Sequence, residues 1–152
     1  MTNRGTSSGE VFRPSAARLF LFYVMLGLPF LVCFSFIRYG TAFRWSDLLL
    51  GAAFIVPLAI IFAGIVSLLL PVRLTAKGVH AHSAWGLPRF ISWQDIQSIR
   101  KFSLPVLPWL RLYPADGSTV VWLIMFQSYP AKFKLEIQKF APPGNPILSH
   151  LD

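Results

Sequence analysis

A single cysteine, Cys33, and six acidic residues against fourteen lysines and arginines are what this 152-residue chain offers to thiol, metal and acid–base chemistry. One cysteine closes no disulfide, and inside an apolar run it presents no accessible thiolate. The acids beyond residue 71 are Asp95, Asp116, Glu136 and Asp152, scattered too widely for a paired-carboxylate mechanism. No G-x-G-x-x-G, Walker or G-x-S-x-G spacing occurs, and Gly86 and Gly117 are lone turn glycines. His80 and His82, two apart on a strand, project to the same face but have no third ligand at suitable spacing. The chain reads as non-enzymatic, without cofactor or metal.

Charge is also missing from two long stretches. Leu19–Ile37 and Leu48–Leu70 contain 19 and 23 residues with no charged side chain, which as helices reach roughly 28 and 35 Å, enough to cross a hydrocarbon core of about 30 Å. Residues 16–71 are therefore expected to form a transmembrane helical hairpin, with Ser15 at the start of the first helix and Ser46 and Asp47 at the start of the second. The intervening turn carries Arg38, Arg44 and Asp47. Pro29 and Pro57 inside the spans are tolerated in lipid. Ala59, Ala63, Gly27, Gly51 and Gly64 allow close helix approach. The first run is longer than a signal-peptide core and lacks a small-residue cleavage site, so it reads as a retained anchor.

Residues 1–15 are polar, basic and expected to be disordered. Arg4, Arg13 and Arg18 precede the first span, and Arg73, Lys77 and Arg89 follow the second. This bias favours a cytoplasmic N-terminus and C-terminal domain, with the reverse orientation as the competing arrangement. The net charge is +8, of which +5 lies in residues 72–152 (nine basic minus four acidic). Basic domains also read nucleic acid, but beside a membrane anchor the nearer anionic partner is the lipid surface, and no nucleic acid is expected.

After Pro71 the period changes from helical to alternating. Strands are expected at Val72–Thr75, Val79–Ala84, Arg89–Ser92, Ile96–Phe102, Trp109–Tyr113 and Ser118–Ile124, antiparallel because their connections are brief. Pro114-Ala115-Asp116-Gly117 is a hairpin signal. An amphipathic helix follows, capped by Ser128, with Pro130 in its first turn and Tyr129, Phe133, Ile137 and Phe140 on one face. Lys132–Glu136 and Glu136–Lys139 are spaced to pair on its flank. Pro142-Pro143-Gly144 stops it, leaving residues 142–152 as a tail.

Leu74-Thr75-Ala76-Lys77-Gly78-Val79 and Phe90-Ile91-Ser92-Trp93-Gln94-Asp95-Ile96-Gln97-Ser98-Ile99, set directly after two apolar runs, resemble the small bacterial pleckstrin-homology-like (bPH, YcxB-like) membrane proteins. The resemblance covers residues 19–140 in layout. It implies an α+β membrane protein in which the hairpin precedes a PH-like antiparallel β half-barrel (72–141) capped by the C-terminal helix. It also implies residence in the bacterial inner membrane. The motif has its own physical reading: Ile91, Trp93, Ile96 and Ile99 anchor a strand–turn–strand to the core while Asp95 satisfies turn donors. Fold, and not function, is what such a resemblance carries.

Two proline-bearing segments hold large apolar side chains where a soluble domain is usually polar: residues 85–90 and 102–109. Trp and Phe beside Arg and Lys suit the membrane interface, rings at headgroup depth and cations at phosphate. Trp85, Arg89, Phe90, Arg100, Lys101, Trp109 and Arg111 are the expected contacts with anionic lipid headgroups. Strand Ser118–Ile124 is apolar on both faces, and Ala131 and Leu135 form a second patch on the helix. These leave two functions open: a module binding a membrane-proximal protein or anionic lipid, or a structural subunit of a larger membrane complex, including a homo-oligomer.

Overall fold

Apolar alternation after residue 71 produces strands, and the two uncharged runs produce helices. The computed structural model describes residues 9–40, 45–104 and 106–151. The first eight residues of the expected basic tail, Arg44 of the turn, Pro105 and Asp152 lie outside them. The chain is α+β: two long apolar helices, an open seven-stranded antiparallel sheet and a C-terminal helix. It divides into two units, residues 16–69 and the remainder.

The helical unit contains α1 (Ala16–Tyr39) and α2 (Trp45–Leu69), 24 and 25 residues long, so about 36 and 38 Å each. Both are long and apolar enough to cross a membrane. They pack where side chains are small. Ala59 and Ala63 are buried, Gly27 faces Ile55, and Gly51 faces Leu31. Gly64 faces nothing within 4 Å, so it contributes no close approach. Pro29 and Pro57 lie within the helices. Much of the remaining surface is bare hydrocarbon, as at Phe30, Phe54 and Ile37.

The sheet unit contains β1 (Glu10–Phe12), β2 (Val72–Thr75), β3 (Gly78–His82), β4 (Pro88–Ser92), β5 (Ile96–Leu104), β6 (Leu107–Pro114), β7 (Val121–Ile124) and α3 (Pro130–Phe140). Strand order is β1-β2-β3-β7-β6-β5, with β4 also paired to β3. Alternation sends Val72, Leu74, Val79, Ala81, Leu110, Leu112, Val121 and Leu123 into the core. Phe133 and Ile137 of α3 are fully buried. The β2–β3 turn is held by Thr75, whose hydroxyl donates to the Gly78 carbonyl at 2.9 Å and accepts from its N–H at 3.2 Å. Gly78 is required there because a Cβ would strike the Ile91 carbonyl and come within 2.8 Å of Ser92 Cα.

Ile91, Trp93 and Ile96 are buried as expected, with Ile99 only partly covered. The Trp93 indole donates to the Thr75 carbonyl at 2.9 Å. In the 3-10 turn at Trp93–Asp95 the cap is Ser92, whose hydroxyl accepts from Gln94 N at 3.3 Å. Asp95 contributes its backbone instead, accepting from Ala115 N at 2.8 Å.

Three expectations need correction. Residues 10–12 are not disordered. They form β1, paired with Glu10 opposite Leu74 and Phe12 opposite Val72. Phe12 is buried edge-on against Phe133 at 4.9 Å, Ser128 N and Oγ donate to the Arg13 carbonyl at 3.0 and 3.2 Å, and Ser15 N donates to Phe126 O at 2.8 Å. Ser128 is consequently engaged elsewhere. The N-cap of α3 is Tyr129, which makes no side-chain capping bond, and of the two flank pairs expected only Lys139–Glu136 forms, at 3.3 Å, while Lys132 pairs with Glu10. Residues 142–151 are no loose tail. Asn145 donates through Nδ2 to Trp93 O at 2.6 Å and accepts from Ile147 N at 3.0 Å, and Ile147 and Leu151 are buried.

Candidate basic and aromatic sheet face

Because Leu110, Leu112, Val121 and Leu123 point inward, the alternate residues Trp109, Arg111, Tyr113 and Trp122 face the other way. Register then aligns them with neighbours. Arg100 of β5 is opposite Arg111 of β6, Arg111 opposite Trp122 of β7, and Trp122 opposite His82 of β3. Phe102 is opposite Trp109 in the adjacent row.

The Arg111 guanidinium sits between two rings, 4.5 Å from the centre of Phe102 and 4.3 Å from that of Trp122. Trp122 meets Phe102 at 5.5 Å and Trp109 at 5.9 Å, both edge-on, and Trp109 meets Phe126 at 5.5 Å. Each cation–ring contact is worth about 0.5–2 kcal/mol and fixes the guanidinium plane. Arg100 leans the other way, 5.5 Å over Tyr113. Three polar atoms around Trp122 are buried without a hydrogen-bond partner: Arg111 Nε, Trp109 Nε1 and His82 Nδ1. Desolvation holds the His82 imidazole below its ordinary pKa of 6.5. His80, its ring tilted against that of Phe90 at 4.6 Å, is lowered by burial and then by the charge of Arg73.

The structure brings Arg100, Trp109 and Arg111 together and scatters the other four expected contacts. Trp85 crowns the β3–β4 turn. There the Ser83 hydroxyl accepts from Trp85 N and Leu87 N, both at 3.3 Å, and Ser83 N donates to Leu87 O at 2.8 Å. Gly86 supplies the φ of 74° that closes this turn. Trp85 is thus 89% exposed on a laced support, near exposed Leu87 and Phe90. Phe90 lies opposite His80, whereas Arg89 lies opposite Ala81 and lines a small hollow with Asp116 and Ser118. Lys101 is opposite Leu110, on the core-side parity, but remains exposed on the outermost strand.

No family model and no curated protein matches the chain. The site therefore stands on its geometry. Sequence reasoning missed Phe102, Trp122 and His82 as members of the face. Strand alternation combined with the Pro114–Gly117 turn could have found Trp122, since a hairpin closed there puts it on the same face as Arg111. His80 and His82 share a face, as the two-residue period requires. A separate hollow of about 500 Å³ lies between the β2–β3 turn and the end of α3, lined in part by Lys77, Gln94 and Phe140, and among the described residues Lys77 is its one charged side chain.

Proposed function

We propose that this chain is a non-enzymatic, membrane-anchored module of PH-like half-barrel type whose sheet domain engages the anionic lipid surface beside its own anchor. In this reading α1 and α2 cross the bacterial inner membrane as a hairpin, and the arginines flanking it keep both chain ends in the cytoplasm. Only residues 13–15 and 70–71 join the helices to the strands, at most about 11 and 7 Å of extended chain.

The observation that carries the reading is Trp85, almost fully exposed on a turn stiffened by Ser83, with Leu87 and Phe90 close by. An indole kept in water by its own backbone hydrogen bonds suits the interfacial region, where amphipathic rings settle. The test is quenching of tryptophan emission by brominated lipids in nanodiscs holding the full chain. Trp85→Phe is expected to remove a shallow, strongly quenched component. An unchanged quenching profile would refute contact at the tip. A subunit role is favoured by Leu135 on α3 and Tyr129 at its N-cap, both exposed. A monomer on blue-native electrophoresis would remove that alternative.

A further inference from the structure

We infer that Arg100 and Arg111, facing each other across β5 and β6, form a binding site for one phosphate monoester, taken up as a dianion. The inference rests on the lipid reading above and names the headgroup chemistry the sheet face selects. Like charges directly opposite each other on paired strands repel, and nothing nearby neutralises them. Among the described residues no acid belongs to β5, β6 or β7. Glu10 and Glu136 are paired with Lys132 and Lys139, and Asp95 and Asp116 lie in turns.

The two guanidinium groups lean to opposite ends of the row, Arg100 over Tyr113 and Arg111 between Phe102 and Trp122. Two cations without a shared counter-ion adopt such an arrangement. Arg111 is held in plane by its rings, while Arg100 is exposed and free to swing back toward it. Arg111 Nε and Trp109 Nε1 are buried donors lacking acceptors, so nothing among the described residues offsets the positive potential of this face. Two positive charges and a planar fork match a doubly charged monoester better than a singly charged diester.

The test uses the full chain in detergent micelles with equimolar phosphatidylcholine, phosphatidylglycerol and phosphatidic acid, with retained lipid counted by native mass spectrometry. Phosphatidic acid is expected to be retained about tenfold over phosphatidylglycerol, the worth of one charge-assisted contact. Arg100→Gln, at an exposed edge-strand position that leaves the core intact, is expected to bring the two to parity. Arg111→Lys, which keeps charge and loses the fork, is expected to lower the preference. Displacement by excess glycerol 3-phosphate would assign the site to phosphate monoesters in general, and resistance to it would assign it to the lipid. Equal retention of both anionic lipids by the unsubstituted chain, or a preference surviving Arg100→Gln and Arg111→Gln alike, overturns the inference and leaves the lipid reading standing. Retention of neither above phosphatidylcholine overturns the lipid reading itself.

Discussion

Replacing Phe12 with alanine separates a docked N-terminal strand from a loose tail. Phe12 is 4% exposed, its ring edge-on to the fully buried Phe133 of α3, and it sits opposite Val72 in the sheet. Truncating a buried phenylalanine costs about 3–5 kcal/mol. The lower end applies here, because β1 has three residues at the end of the strand order and can relax toward the gap. For a domain of this size each kcal/mol moves the melting temperature by about 4–8 °C, so a loss of about 3 kcal/mol predicts a fall of about 12–24 °C. Near-ultraviolet circular dichroism of the full chain in detergent reads that transition without requiring the helices to unfold. Val11→Ala, at a position 53% exposed on the same strand, is the control and is expected to change little. If Phe12→Ala melts with the unsubstituted chain, β1 is not part of the folded domain and the packing argued around Phe133 is wrong.

Asn145→Ala is expected to cost about 1–3 kcal/mol, since it strands the Trp93 carbonyl and the Ile147 N–H that the side chain serves; an unchanged urea midpoint would detach residues 142–151 from the core. Acidification gives a second test. Burial lowers His80 and His82 below 6.5 in the folded chain, so the unfolded chain binds their protons first as pH falls. Their contribution to stability is therefore complete above about 6.5 and drains below it, through the lowered folded values. Urea midpoints measured downward from neutral pH should decline, and His80→Gln with His82→Gln should flatten that decline; equal slopes would contradict the burial.

Much of the fold was legible because the period of the apolar residues is unambiguous. The two runs became helices close to their expected limits, and all six strands after Pro71 lie within a few residues of where alternation put them. The misses have physical causes. Glu10-Val11-Phe12 is too short and too polar in its surroundings to announce a strand, and its partner β2 lies some sixty residues away in sequence. Ser128 matched a capping pattern, but the Arg13 carbonyl, invisible in local sequence, took its hydroxyl. At the site, composition pointed to the right residue types, and only cross-strand register could say which met. Lys101 and Arg89 fell on the core-side parity, while Trp122, hidden in a strand apolar on both faces, proved to be the residue that Arg111 stacks upon.

Cys33 offers the most direct test of the membrane hairpin. The thiol is exposed in α1, so the protein alone gives it no cover. It lies about 8 Å along the axis from the helix midpoint, within the half-thickness of about 15 Å of a bilayer core. A water-soluble maleimide applied to intact membranes is predicted to leave Cys33 unlabelled until detergent dissolves the lipid. Labelling in intact membranes at the rate of a free thiol would contradict the anchor, and with it the placement of the sheet domain at a lipid surface.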